Sequence, residues 1–326
     1  MDAALNFFLG EDVCNYKLKK IGLNHLSFLN QKLKAVSSRD PYALSAGYYG
    51  FTGRKGLQLY GNENDFLLFC KHPNLENKTI IFPPFGSNVQ RLLTSFFKKQ
   101  PFSKSLFEIG RVDSQKAVFL QARLNQISSE LDFNIQDEEV LDWLFPVHTL
   151  STKDIREATG KKFCDFRKNI NRANKNKLKI ETLTGKHTKG LREVILKWAI
   201  HHEIEETDSL FEPHNYIFQL LETSALNLHG FVVLVSGSLC GFTVWEEPED
   251  KNRIPASLTS IALTQIKGLA EFQYFEMCRR LSIKGYKSVC IGGSETQGLD
   301  DFKKKMNPVQ SLPLKTLVSS RKSKLR

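Results

Sequence analysis

Apolar and polar positions along the chain follow two periods, and the periods change in a readable order. Phe231–Val235 and Leu239–Trp245 are two apolar runs joined by Ser236-Gly237-Ser238, the pattern of a tight β-hairpin. Ala256–Leu263 reads as a further strand. Leu269, Phe272, Phe275, Cys278 and Leu281 then recur at helical spacing until Gly285 ends the helix. Tyr286–Ile291 predicts a strand, Leu299–Met306 a short helix and Leu312–Val318 a last strand. The first half is less regular. Pro41–Phe51, Gly56–Tyr60, Asp65–Cys70 and Thr79–Gly86 cluster as short strands with Gly, Asn and Pro turns. Val89–Phe97 suggests a helix and Ser114–Gln121 a strand. Asn134–Trp143 reads as a crossing segment, which puts a boundary between Asp132 and His148. The pattern is that of an α/β protein in two halves.

One stretch early in the second half is amphipathic with unusual charge. In the helical segment Gly160–Lys175, Phe163, Phe166, Ile170 and Ala173 share a face, while Lys161, Lys168, Arg172 and Lys175 gather on the opposite one. Such a stripe faces solvent, phosphate or lipid headgroups. Without Trp or Leu flanking the apolar face, insertion into a membrane is its weaker use. Arg167 lies between the faces, within reach of an acid or a bound anion.

Composition sharpens this. The chain has 326 residues and a net charge of +11, and its charge is clustered. Lys161–Lys179 holds eight Lys and Arg against one acid, and Lys303–Arg326 holds eight against none. A polyanionic partner or a solvated basic face both fit. With 41% apolar residues and no run of eighteen, a soluble globular protein without a transmembrane segment is expected. The six cysteines form no C-x-x-C pair, and the N-terminus lacks the features of a signal peptide. These features predict a reduced, cytoplasmic protein without structural zinc.

The junction Gln265-Ile-Lys-Gly-Leu-Ala270 lies between the predicted strand at 256–263 and the helix that follows. A strand that turns through glycine into a helix directs free N–H groups and the positive end of the helix dipole at the turn, where a phosphate binds. Gly268 would let backbone approach closely, and small Ala270 would leave room. This Q-x-x-G-x-A pattern resembles the acyl-donor loop of the GNAT acyltransferase superfamily. Hairpin, strand, phosphate-turn helix, strand, helix, strand is also that superfamily's order over its donor-binding half.

A second resemblance is more specific. Ser151-Thr-Lys-Asp154, Gly160-Lys-Lys162 and Arg167-x-x-Ile170-Asn171-Arg172 look like the opening of the second domain in the DUF2156 family, which resembles the C-terminal domain of phosphatidylglycerol lysyltransferase. Ile291-Gly-Gly-Ser-Glu-Thr-x-Gly-Leu-Asp-x-Phe-Lys303 and Pro308 resemble that family's ending. The resemblance implies two tandem GNAT-like domains, each a mixed sheet flanked by helices. On that resemblance residues 1–140 are expected to form a degenerate domain that shapes the acceptor groove and 141–318 the donor-binding domain, while composition predicts a basic disordered tail at 319–326. The resemblance also implies an acyltransferase. The expected donor is aminoacyl-tRNA, slightly ahead of acyl-CoA, with no tightly bound cofactor. The expected acceptor is an amine or hydroxyl on a small molecule, lipid or peptide. Donor contacts then fall on Gln265, Lys267, Gly268 and Ala270, and tRNA phosphates on Lys161, Arg167, Lys168, Arg172 and Lys175. A non-catalytic module of the same fold, binding nucleic acid or anionic lipid, is the alternative.

Transfer to an amine needs a neutral nucleophile, a polarised carbonyl and attack geometry. GNAT enzymes commonly use a carboxylate as base and N–H groups of a splayed strand to polarise the carbonyl. Glu295 is the first candidate, because Gly292-Gly293 lets the chain turn at the cleft; as part of Ser294-Glu-Thr it could instead cap the next helix. Glu246 and Glu247, at the hairpin end, follow, with an exposed rim as their plain reading. In His201-His-Glu-Ile-Glu-Glu-Thr-Asp208 no metal-binding spacing exists, so metal is rejected. By the resemblance this loop lies near the acceptor, where Glu205, Glu206 or Asp208 would bind a cationic group. No G-x-S-x-G or P-loop pattern occurs, which removes hydrolase and NTPase readings.

Overall fold

A computed structural model describes residues 16–72, 75, 77–99, 106–136, 144–203 and 208–322. The chain forms two seven-stranded mixed sheets flanked by helices, one in each half. The first is built from β1 (Lys17–Lys20), β2 (Gln58–Gly61), β3 (Phe66–Lys71), β4 (Lys78–Ile81), β5 (Leu106–Asp113) and β6 (Leu131–Gln136). The second contains β7 (Val147–Ser151), β8 (Lys179–Thr182), β9 (Leu228–Val235), β10 (Ser238–Glu246), β11 (Ala256–Ala262), β12 (Ser288–Gly292) and β13 (Gln310–Leu312), in the order β13-β7-β12-β11-β10-β9-β8. Strands β9 to β12 follow the hydrophobic pattern, including the hairpin β9–β10, whereas β7 and β8 do not stand out in it.

The end of the chain departs from expectation. The predicted strand at 312–318 is two strands: β13 pairs with β7, and β14 (Leu314–Arg321) crosses into the first sheet between β5 and β6. Ser319, Ser320 and Arg321 pair with Phe133, Asp132 and Leu131. A disordered tail from 319, and a second domain ending at 318, are therefore incorrect for these residues. Leu314, Thr316 and Leu317 are buried, and the pairing of each backbone group in β14 outweighs the polar composition of its last residues.

The first half also differs in two local elements. Ser114–Ile127 is a helix, α4, not a strand: Asp113 caps it by accepting from the Lys116 amide at 3.0 Å, and Ala117, Leu120 and Leu124 form its buried face. Pro41–Leu44 is a single 3-10 turn, and Ala46–Thr52 is a short helix, α2, that follows α1 (Leu26–Leu33). The side chains of Asp40 and Ser45 accept the capping bonds of these two elements, which the strand reading missed. The helix α3 (Val89–Lys99) joins β4 to β5. In the second half come α5 (Thr152–Glu157), α6 (Cys164–Asn174), α7 (Thr188–His201), α8 (Asp208–Thr223), α9 (Leu269–Ile283) and α10 (Gln297–Lys304).

The halves share apolar core. Tyr42, Tyr48 and Tyr49 of the first half pack in one cluster with Val147, Ala256, Cys290 and Leu312 of the second. No helix among the described residues is long and apolar enough to cross a membrane.

Candidate functional site

The central strands of the second sheet separate. β11 and β12 run parallel yet pair at a single position, Ala256 with Cys290. Beyond it they form a fork. Opposite the fork, the register between β10 and β11 slips: Val244 pairs with Thr259 and Trp245 with Ser257, leaving Leu258 as a bulge. A splayed parallel pair beside a bulge exposes backbone polar groups that an ordinary sheet would consume.

Gln265–Ala270 closes the top of the β11 prong. Gln265 and Lys267 are exposed, and Gly268 and Ala270 half-buried. Gly268 is the N-cap residue of α9 in a left-handed conformation (φ 86°). Its glycine is required, though for a different partner than a phosphate. A Cβ at 268 would collide with the carbonyl oxygen of Asn169, because α6 lies directly against the turn. The Asn169 side chain also bonds Glu271 in the first turn of α9 at 2.7 Å. This contact brings the basic helix to the turn. As expected, Phe163, Phe166, Ile170 and Ala173 are buried, while Lys161, Lys168, Arg172 and Lys175 are exposed. Arg167 does not reach for an anion; its guanidinium donates to the carbonyls of Ala158 and Gly160 and closes the loop before α6.

The three acid candidates separate by environment. Glu295 is exposed rather than set in an apolar cleft, and the cap of α10 is Thr296, whose hydroxyl accepts from the Leu299 amide. Glu246 and Glu247 are not on an exposed rim; both are buried. Glu247 accepts from Trp245 Nε1 at 2.9 Å and Lys284 Nζ at 2.7 Å, which ties it into the framework. Glu246 stands across from Ala256, at the base of the fork. Its Oε2 accepts from Ser45 Oγ at 2.5 Å and the Gly47 amide at 3.0 Å, both from the first half. Burial raises its pKa, and the bonds from Ser45, Gly47 and Ala46 only partly offset that. Glu246 also lines a cavity of about 400 Å³ at the seam of the halves, with Ser45, Asn30 and Asp250 on its wall.

Sequence reasoning missed Lys303. It is 5% exposed, and its ammonium donates to the carbonyl of Gly293, just past the end of the β12 prong. The local pattern carried little signal for it, since the inward side of this charged helix buries Asp300 together with Lys303, with Phe302 packed against the core. Nearby, His148 accepts at Nδ1 from Ser311 Oγ (2.8 Å) and donates from Nε2 to Asp300 (2.7 Å), because a carboxylate only accepts. Burial lowers the His148 pKa against the pull of Asp300. This pair fixes α10, and with it Lys303. Glu205 and Glu206 lie outside the described residues, as does the Asp208 side chain.

Fork, bulge, glycine turn and following helix define the class: a tandem protein of the GNAT fold, and solved structures agree. A conserved protein of unknown function from Bacteroides thetaiotaomicron superposes with a TM-score of 0.72 at 17% identity, over 93% of this chain and 99% of that one. L-PGS from Bacillus licheniformis gives 0.61 at 14% identity, over 91% and 92%. A tandem GNAT protein from the clavulanic acid biosynthesis pathway gives 0.54 at 8%, over 94% and 98%. Residues 137–323 match the family described as phosphatidylglycerol lysyltransferase, C-terminal, and the chain belongs to that family. The search of curated proteins returns no match.

Proposed function

We propose that this protein is an acyltransferase that moves an acyl or aminoacyl group to an amine or hydroxyl acceptor. Its donor is aminoacyl-tRNA in preference to acyl-CoA. The observation that carries the reading is the fork between β11 and β12, paired only at Ala256 and Cys290, with the N-terminus of α9 at its mouth. The contact of Gly268 with Asn169 supports the tRNA donor, because it sets the exposed cations of α6 beside the same turn. A CoA pyrophosphate needs only the turn; a nucleic acid also uses the stripe.

In this reading the donor's phosphates lie at Gln265–Ala270 and its carbonyl in the fork. An acceptor amine in the seam cavity gives its proton to Glu246, whose raised pKa suits a base working near neutrality. The nitrogen attacks the carbonyl carbon, and the Lys303 ammonium holds the negative charge that develops on oxygen. Collapse breaks the ester bond to the tRNA ribose, or the thioester, and the leaving oxygen or sulfur takes up a proton. Glu246 replaces Glu295 as the favoured base because it is buried, at the fork and joined to both halves.

The turn is tested by Ala270→Glu, which adds a negative charge in the first turn of α9 without the collision that any side chain at 268 would cause. Wild-type protein and variant are titrated with an aminoacyl-tRNA pool and with acetyl-CoA. A loss of affinity of about tenfold or more in a protein of unchanged melting temperature is expected. Equal affinities would remove the turn as the donor site.

A further inference from the structure

The first half puts a side chain into the second half's fork. Tyr42 sits on the 3-10 turn Pro41–Leu44, and its hydroxyl donates to the carbonyl of Ser257, the first β11 residue beyond the last paired position. On the other prong, a Cβ built on Gly292 would lie 2.8 Å from the same hydroxyl. Tyr42 therefore spans the fork from β11 to β12. Gly292, at φ 75°, is the residue that leaves room for it.

The turn that carries Tyr42 is a three-sided wedge. With three residues per turn, positions three apart share a face. Pro41 and Leu44 line the 400 Å³ seam cavity, and Asp40 and Ala43 line a separate cavity of about 580 Å³. The remaining face gives Tyr42 to the fork. The wedge is held stiffly. Asp40 receives two bonds from Arg111, at 2.8 and 2.9 Å, and the guanidinium also lies over the rings of Tyr42 and Tyr48, which stack at 4.7 Å. Arg111 takes a left-handed conformation (φ 61°) where β5 slips register against β14. A non-glycine residue in that region is strained, and strain of this kind persists where the surrounding structure fixes it. Here it aims Arg111 at Asp40 and so locates Tyr42.

We infer that Tyr42 is the specificity-determining floor of the fork and restricts the transferred group to a short acyl or aminoacyl chain. The inference rests on the fork being the donor site. From Ser257 to the end of β11 at Ala262 is five residues, roughly 17 Å at about 3.4 Å per residue. A donor anchored at the turn by phosphate runs down that length, and its acyl end meets the phenol ring. A short group stops above the ring; a longer chain collides with a side chain that is 5% exposed and held by its neighbours.

The test compares wild type, Tyr42→Phe and Tyr42→Ala with two donor series. One is acetyl-, butyryl- and octanoyl-CoA; the other is tRNA charged with glycine, alanine or phenylalanine. The readout is the ratio of affinities for the smallest and largest members, which is insensitive to a fraction of misfolded protein. Wild type and Tyr42→Phe should favour the small members. Tyr42→Ala should shift the ratio toward the large ones by about tenfold or more, the usual worth of pocket space for a few methylenes. Binding of either series with a ratio that does not change in Tyr42→Ala would overturn the inference alone. Failure of wild type to bind any member of both series would overturn it together with the donor site.

Discussion

The two halves contain the same β–turn–α–β unit with opposite chemistry. In the second half β11 and β12 share one paired position, and the turn between β11 and α9 carries Lys267 and Gly268. In the first half β4 and β5 pair in register over four residues, Lys78–Ile81 with Leu106–Ile109. Its turn contains Pro83 and Pro84, which have no N–H to offer. The start of α3 is already occupied: Asp65 accepts from the Asn88 amide at 2.9 Å and from its side chain at 3.2 Å. Gly86 is crowded by that same carboxylate, as Gly268 is crowded by Asn169. A carboxylate thus takes the place at the first turn where a phosphate would sit. On the proposed reading, the comparison teaches that a donor site is made by leaving out two things, a run of strand pairing and an intrinsic anion.

If that difference decides function, the largest effect falls on the side chain at the open prong. Lys303→Met keeps length and apolar body but removes the charge. Turnover should fall about 10²–10³-fold with donor affinity little changed, the scale for losing one group that stabilises developing negative charge. A variant that turns over normally would show that the prong needs no cation.

Glu246→Gln comes next, with an expected loss of about 10²-fold. Because a base must be ionised, the wild-type rate should climb with pH through the raised pKa of Glu246, and the variant should lack that limb. Stability moves the other way. With the pKa raised on folding, the contribution is complete below the ordinary carboxylate range and is lost as pH rises through the folded value. The glutamine variant escapes that loss, so its melting temperature at neutral pH should be no lower than wild type. A large drop in melting temperature with activity retained would make Glu246 a clasp between the halves and nothing more.

Reversing Lys161, Lys168, Arg172 and Lys175 to Glu is a smaller test. Each lost phosphate contact should lower the slope of log affinity against log salt by roughly 0.9 for a double-stranded arm, and tRNA binding should weaken by tenfold or more at low salt. Acetyl-CoA binding should be spared. Loss of both ligands together would instead mean that α6 supports the turn only by packing, through Asn169 and Glu271.

Much of the second half was legible, because its elements obey their own periods: the hairpin, the helix with Phe272 and Leu281 buried, and the two faces of α6 all follow from local pattern. What could not be read was non-local. Glu246 looks like a hairpin end until Ser45 and Gly47, two hundred residues earlier, close over it. Ser319–Arg321 look like a polar tail until β5 and β6 offer an open slot. In the first half, Asp40 and Ser45 cap a turn and a helix within a tyrosine-rich run, so the aromatic residues suggested strands while the caps decided otherwise.

The smallest expected effect tests the plugged turn itself. Asp65→Asn keeps an acceptor for the Asn88 amide and removes the charge at the start of α3. Stability should fall by about 0.3–1 kcal/mol, the usual worth of an anion at a helix N-terminus, read as a shift in denaturant midpoint with an unchanged slope. Donor binding should keep its stoichiometry of one, because the two prolines and the four paired positions of β4 and β5 remain. The measurement is a titration with acetyl-CoA in which the number of sites is fitted. A second site appearing in Asp65→Asn would mean that the carboxylate alone separates the halves, and that strand splaying is not required to hold a donor. A single site would leave splaying as the larger of the two differences: one substitution can remove an anion, but none can unpair four residues of parallel sheet.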